Sequence, residues 1–326
     1  MKMQELFKKL VKKARRIVVT THIHPDADGI GSQIALAIGL KSLGIECICV
    51  NEEPLLERYK YLDPYNLVMG FEDFKKSEHA DQEIDLFIVA DTNNLSRIGG
   101  RTQSLVHHAK NLLFIDHHPC PKELAAIHCI DTSMAATGEL VGSLLEVIGV
   151  KFTKEIALPL YTAILIDTSS FRYPTVSGRT HRLIGKLLDA GVDPPSAYNF
   201  IYGTKKIGYM QLLGTILSTA KVTKDNKIAW MVLKEKDLDQ FDVDTEDTLG
   251  FINNLLILDS IKVACMFRQE GEQVKISFRS AGDIDVGIIA QALGGGGHNH
   301  SAATMVEGRI EEVAKRTIQK LQIMLS

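Results

Sequence analysis

Long apolar runs are missing from this chain of 326 residues. No stretch approaches the roughly 20 residues that a membrane-crossing helix needs, which excludes a membrane partner of that kind. Residues 1–10 read instead as an amphipathic helix, without the apolar core of a secretory signal. Net charge is scarce too. Thirty-seven Lys and Arg stand against 40 Asp and Glu, a formal charge of −3. The chain therefore lacks the global basic field with which proteins track long nucleic acids. A short phosphorylated ligand needs only local positive charge and stays open. Cysteine is sparse: Cys47, Cys49, Cys120, Cys129 and Cys265, an odd number with no Cys-x-x-Cys pair. That pattern argues against a disulfide framework and for reduced thiols in the cytoplasm. Cys47 and Cys49 alternate along an apparent strand, where their role is packing. Internal repeats and low-complexity segments are absent.

What is present suffices for two domains, each with its own core. In the first part, short apolar runs predict strands over 17–21, 45–50, 84–90, 111–115 and 127–130. Helices are expected over 30–43, from a Ser133 cap to about 149, over 153–166 and over 181–190. Strand–helix–strand units predict a parallel sheet. Residues 51–81 read as loops and short helices. Pro194-Pro195 marks the end of a first domain at 1–195, and 196–222 reads as a connecting helix and linker. Over 223–326 the pattern changes to strands at 227–233, 261–268 and 273–279 and helices at 248–258, 284–293 and 309–324. The fold class is α/β, a mostly parallel sheet flanked by helices followed by a smaller α/β domain.

The richest chemistry lies in Val18-Val19-Thr20-Thr21-His22-Ile23-His24-Pro25-Asp26-Ala27-Asp28-Gly29. A buried strand runs into a loop and then a helix, the place where open α/β sheets bind ligands and where helix N-termini favour anions. His22, Asp26 and Asp28 put three potential metal ligands on one short loop; a polar loop that caps a helix is the plainer alternative. Other apolar segments end in the same way. Ala90 runs to Asp91, Ile115 to Asp116-His117-His118, and the helix over 153–166 delivers Asp167. Singly, each acid could be a helix cap or a turn residue. Parallel strands bring their ends to one edge, so His22, Asp26, Asp28, Asp91, His117 and Asp167 can converge. Four carboxylates in one cleft repel unless cations sit among them. Two divalent cations balance four negative charges, and oxygen ligands mixed with imidazoles suit manganese. His79, His107, His108, His128 and His181 have no such setting and read as surface or core residues; Asp131 reads as a cap.

Taken in order, His22-Ile23-His24-Pro25-Asp26-Ala27-Asp28, Asp91, Asp116-His117-His118 and Asp167 resemble the motifs of the DHH phosphoesterases. The run Gly294-Gly295-Gly296-Gly297-His298 looks like the signature of the DHHA1 substrate-binding domain. The chain is most similar to the bacterial nanoRNase/pAp-phosphatase type. The resemblance implies that His22, Asp26 and Asp91 hold one metal and that Asp28, Asp91, His117 and Asp167 hold a second, with Asp91 shared. It implies that Asp116 orients ligands, that His118 reaches the phosphate, and that Arg279, Ser280, Gly296, Gly297 and His298 grip the substrate. Arg172, near Asp167 in sequence, is a further candidate for the phosphoryl charge, with an ordinary surface arginine as the alternative. The chain departs from the family pattern at His24, often Asn, and at Ala303, usually Gly.

The resemblance further implies an active site in the cleft between the two domains and two divalent cations, manganese first, with magnesium or cobalt as alternatives. Two cations bring a water's pKa toward neutrality for in-line attack on phosphorus. The implied substrates are short RNA oligonucleotides and small phosphorylated nucleotides such as 3′-phosphoadenosine 5′-phosphate (pAp). A cytoplasmic homodimer is expected. Competing readings are a RecJ-like single-strand exonuclease, a pyrophosphatase or polyphosphatase, and a non-catalytic nucleotide sensor.

Overall fold

Arg16-Ile17-Val18-Val19-Thr20 forms β1 (Arg16–Thr20), and all five residues are buried. β-branched side chains favour the extended backbone, and burial on both faces explains why the run is not amphipathic. The computed structural model describes residues 3–120, 127–203, 205–297 and 299–325. The chain divides into two units, Met1–Gly203 and Thr204–Ser326.

The first unit runs α1 (Met3–Lys13), β1, α2 (Ala27–Ser42), β2 (Glu46–Asn51), β3 (Val68–Gly70), α3 (Phe71–Lys76), β4 (Leu86–Ala90), α4 (Gly100–Ser104), β5 (Leu112–Asp116), β6 (Ile127–Ile130), α5 (Thr137–Val147), α6 (Lys154–Asp167), α7 (Gly178–Asp189) and α8 (Pro194–Tyr202). The six strands pair in the order β3-β2-β1-β4-β5-β6, every pair parallel. Alternate residues feed two cores. Ile17, Val19, Leu86, Ile88, Leu113 and Ile115 pack with α2, α5 and α6, while Val18, Phe87, Val89 and Phe114 pack on the other face with Phe71 and Phe74 of α3. The strand order turns between β1 and β4, the switch point beside which α/β sheets carry ligands.

Several elements differ from expectation. α2 begins at Ala27, three residues early, because Asp26 caps it. Asp28 therefore stands in the first helical turn and not on a loop. α5 begins at Thr137, and Ser133 does not cap it. Ser133 donates its N–H and hydroxyl to Asp131 Oδ1, at 2.9 and 2.6 Å, closing a turn. Residues 51–81 hold a strand, β3, too short to show a period. Pro194-Pro195 opens α8, where a missing N–H costs nothing.

The second unit contains α9 (Ile207–Ser218), β7 (Lys221–Val222), β8 (Ile228–Leu233), α10 (Glu235–Phe241), β9 (Val263–Glu270), β10 (Gln273–Ser280), α11 (Val286–Gln291), β11 (Gly296–Gly297), β12 (Ser301–Glu307) and α12 (Ile310–Met324). Where a helix is expected over 248–258, Thr245–Ile257 forms a 3-10 helix. The sheet order is β11-β12-β10-β9-β8-β7; β8 and β9 are parallel and the other pairs antiparallel. Its faces again bury alternate residues, Val263, Cys265 and Phe267 on one side and Ala264 and Met266 on the other. Among the described residues, no helix is long and apolar enough to cross a membrane.

α2 is buried from Ala27 to Leu40, so its neighbours reach its backbone. A Cβ on Gly31 would lie 2.4 Å from the Pro159 carbonyl oxygen of α6. Gly31→Ala should therefore force α2 from α6 and destabilise the chain by about 1–3 kcal/mol, the usual cost of overpacking. Thermal unfolding should show a melting temperature several degrees lower; an unchanged value would mean that the two helices separate freely.

Candidate metal centre and active site

The carboxyl ends of β1, β4 and β5 and the C-terminus of α6 carry the predicted acids and histidines. Asp26 caps α2: its Oδ1 accepts the N–H groups of Asp28 at 3.0 Å and Gly29 at 3.1 Å. A carboxylate has a second oxygen, so capping does not exhaust the group. Asp28 is buried, and its two oxygens accept N–H groups from Thr137 and Gly138, both at 2.8 Å, at the start of α5. Asp91 follows β4 with φ 64, a left-handed conformation that Asp tolerates better than most residues. The Thr137 hydroxyl donates to Asp91 Oδ1 at 2.8 Å. A Cβ on Gly29 would lie 2.4 Å from Thr21 Oγ1 and 3.3 Å from Asp91 Oδ2, so the glycine of Asp-x-Asp-Gly keeps room for Asp91.

The histidines are held in defined tautomers. His22 Nδ1 lies 2.8 Å from the Ile23 carbonyl and His117 Nδ1 3.3 Å from the Met134 carbonyl. A carbonyl only accepts, so Nδ1 carries the proton in each ring and Nε2 presents a lone pair. His22 Nε2 faces Asp91 Oδ2 at 3.5 Å; His117 Nε2 faces Asp167 Oδ2 at 3.2 Å and Asp28 Oδ2 at 3.8 Å. Burial depresses the pKa of both, that of His117 to about 4, with His118 as a further cause. These short distances are therefore not ion pairs at neutral pH. His118 differs: its Nδ1 donates to Asp116 Oδ1 at 2.6 Å, while Asp116 Oδ2 accepts from Asn93 Nδ2 at 2.8 Å. Burial pushes the Asp116 pKa up, but the His118 hydrogen bonds outweigh it and hold the carboxyl below its ordinary value.

Asp28, Asp91 and Asp167 shift the other way. Burial first, then the neighbouring carboxylates, raise Asp91 and Asp167 well above the usual range; burial and Asp26 raise Asp28 to about 7. Three sets offer ligand atoms all within 4.8 Å of one another: His22, Asp26 and Asp91; Asp28, His117 and Asp167; and Asp91, His117 and His118, which links the first two. The donor set fits divalent cations. Its clearest mark is His117 Nε2, buried without a hydrogen-bond partner and turned toward carboxylate oxygens that repel it unless a cation or a carboxyl proton lies between.

The other candidates lie elsewhere. Arg172 is exposed and folds back on Ser169, with Nε 2.9 Å from its carbonyl and Nη2 2.8 Å from its hydroxyl. His24, exposed with φ 51, occupies the left-handed conformation that also suits Asn. In the second unit, Arg279 is half-buried on β10. Ser280 is buried, and its hydroxyl meets the Ile284 carbonyl at 2.6 Å and His300 Nδ1 at 3.0 Å, which ties down a loop. The glycine run has packing reasons of its own. A Cβ on Gly295 would lie 2.2 Å from the Ala303 oxygen, and one on Gly297 2.4 Å from Ala302 Cα, whereas Gly296 faces open space. His298 lies outside the described residues. Sequence reasoning missed Thr137, Gly138, Met134 and Asn93; the nearest signal was Thr137-Gly138 at a helix start.

The electrostatics predict how ion-free protein responds to pH. The carboxyls raised in the fold bind more protons folded than unfolded, so their contribution falls as pH rises through about 7. The depressed histidines act oppositely, but only up to their unfolded pKa of 6.5. Above that pH the carboxyls act alone. Chelator-treated protein should therefore melt lower at pH 8 than at pH 6.5, and Mn2+ should raise the melting temperature more at pH 8. Scanning fluorimetry measures both; ion-free protein that gains stability over this window would contradict the clustering of these acids.

Residues 16–164 match the DHH family, N-terminal domain, and residues 206–323 match the DHHA1 domain. The chain is 29% identical over 312 residues to the bifunctional oligoribonuclease and PAP phosphatase NrnA of Thermus thermophilus, covering 94% of this chain and 89% of that protein. An exopolyphosphatase-related protein from Bacteroides fragilis is similar in structure, with a TM-score of 0.89 at 27% identity over 99% of this chain and 97% of that one. The exonuclease RecJ bound to manganese shares the fold at a TM-score of 0.58 and 14% identity, over 98% of this chain and 94% of its own. With both domains matched in this order and a parallel sheet carrying the acid and histidine motifs, the chain belongs to the DHH phosphoesterases and carries a DHHA1 domain as its second unit.

Proposed function

We propose that this chain is a two-metal phosphoesterase that hydrolyses short RNA oligonucleotides to mononucleotides and pAp to AMP. The observation that carries the reading is the pair of proton-free imidazole nitrogens, His22 Nε2 and His117 Nε2, each turned toward carboxylate oxygens. His22, Asp26 and Asp91 would hold one ion, and Asp28, Asp91, His117 and Asp167 the other, with manganese the first choice for this mixed oxygen and nitrogen set. Bound divalent ions supply Lewis acidity that ionises a water near neutral pH and offsets charge on the phosphoryl oxygens.

The chain's own groups do the rest. Asp116 fixes the His118 proton on Nδ1, leaving Nε2 to face the phosphoryl group. The backbone N–H groups of Thr137 and Gly138 orient the two oxygens of Asp28. In the second unit, Arg279 binds a substrate phosphate, and Gly296, open on its Cβ side, lets the backbone approach it; the Arg172 turn beside Asp167 is a further contact. Small substrates agree with the formal charge of −3 and with the name of the Thermus relative, whose span this chain nearly fills. The same reading carries the cytoplasmic location and the paired protomers expected of this type.

Timed product analysis with Mn2+ tests the assignment on four substrates: a 5′-phosphorylated dinucleotide, pAp, a long oligonucleotide and polyphosphate. The dinucleotide and pAp should be consumed fastest. Preference for the long strand would favour exonuclease action, preference for polyphosphate would follow the name of the Bacteroides neighbour, and binding without turnover would mean a sensor. Asp91→Asn should lower kcat/KM by more than about 100-fold, beyond what groups that only orient ligands contribute, with the fold intact by circular dichroism. Arg279→Ala should raise KM by about 10- to 100-fold, the worth of a charge-assisted hydrogen bond, and leave Mn2+ uptake unchanged. Loss of metal in the Arg279 variant would remove it from substrate binding.

A further inference from the structure

Three ligand carriers from different parts of the sheet edge converge on one short stretch that has no expected role. The Met134 carbonyl takes the His117 Nδ1 proton at 3.3 Å. The N–H groups of Thr137 and Gly138 donate to the two oxygens of Asp28, and the Thr137 hydroxyl donates to Asp91 Oδ1. Gly138 also presses on α6, the helix that ends in Asp167: a Cβ there would lie 2.6 Å from Ala163 Cβ.

The stretch is itself latched. Glu139, fully buried, accepts the Ala135 N–H on Oε2 at 2.7 Å. Its Oε1 accepts Arg179 Nε at 2.9 Å and the Thr180 hydroxyl at 3.2 Å. Arg179 Nη2 reaches the Ser133 carbonyl at 2.6 Å. One guanidinium thus ties the start of the stretch to the helix that follows it, and Arg179 sits in the first turn of α7, whose own N-terminus is fixed by the Ser177–Thr180 capping box. A buried carboxylate is tolerated only when its oxygens are used, and here both are.

We propose that residues 133–138 and the Glu139–Arg179 latch are the positioning device of the two-ion centre, with Thr137 choosing which oxygen of Asp91 faces each ion. This rests on the two-ion reading above. Thr137 engages Asp91 Oδ1, on the His118 side at 3.7 Å, and leaves Oδ2 toward His22. Without the hydroxyl the carboxylate rotates freely, and ligand distances that must hold within about 0.2 Å for good affinity are lost.

The test uses full-length, metal-stripped protein, titrated with Mn2+ by calorimetry and followed by electron paramagnetic resonance of the bound ions. Thr137→Val, close to isosteric, should weaken Mn2+ binding by about 10- to 100-fold, the range for groups that orient metal ligands, and should alter the spin coupling between the ions. Thr137→Ser, which keeps the hydroxyl, should restore both. Arg179→Met, at a position 39% exposed, should reproduce the loss, and it serves as the test should the buried valine variant fail to fold. Wild-type protein that binds two Mn2+ beside a Thr137→Val protein that binds them equally well overturns this proposal alone. Equal weakening in the Ser and Val variants overturns it too, since packing and not the hydroxyl would then matter. Wild-type protein that takes up no Mn2+ overturns the two-ion reading, and the proposal with it.

Discussion

Repulsion among crowded oxygen and nitrogen lone pairs at one edge of the sheet is the constraint on which the first unit turns. Two charges about 4 Å apart at a partly screened site repel by about 4 kcal/mol, and Asp26, Asp28, Asp91 and Asp167 all act on one another. His22 and His117 give no relief, because their protons point outward to carbonyls. The fold holds each group in place from behind, and the repulsion is relieved by protons kept on the raised carboxyls or by cations taken up among them. Asp116 is the exception that clarifies the rest: it is paired with His118, its pKa falls, and it belongs to no cation set.

The hold from behind comes through α2. This helix is apolar nearly all round, yet carries Asp28, Ser32 and Gln33, all buried. Gln33 Nε2 donates to the Val19 carbonyl of β1 at 2.8 Å and to Asn51 Oδ1 at 2.9 Å, and Asn51 Nδ2 returns a bond to Gln33 Oε1 at 3.0 Å. A fully satisfied buried amide pair has one good register, and that register locks α2 against β1 and β2. Gly29 and Gly31 let the same helix approach Thr21 on one side and α6 on the other. The placement of Asp28 is thus fixed by contacts with three separate segments, β1 with Thr21, β2 and α6.

How much of this the sequence discloses depends on the range of each interaction. The long strands are plain in their apolar runs, because burial on both faces leaves a local record. β12 is faint, since the inward residues of Ser301–Glu307 include Ala302 and Thr304, too small to mark a period. The acids and histidines at segment ends were visible because each closes a local pattern. The cap of α5 was not. It comes from Asp28, 109 residues earlier, so a local reading turned to Ser133, which serves a turn with Asp131 instead. Thr137 and Met134 were hidden for the same reason: one gives a hydroxyl and the other a carbonyl to residues that meet them only in the fold.

Backbone strain marks the same edge. Asp91 keeps its N–H in the ladder, bonded to the Ile115 carbonyl at 2.9 Å, but its φ of 64 ends the strand at that residue. Beyond Asp167, Ser169, Ser170 and Phe171 take φ of 49, 62 and 64 in succession. Each such residue costs about 1–3 kcal/mol and survives only where its surroundings over-determine it. Regular continuation would have carried the chain onward along β4 or α6; the left-handed turns stop both segments where their last acid reaches the cluster. The strain is therefore placed where two carriers must end, and the cores on either side of the sheet, filled from every strand, offset it.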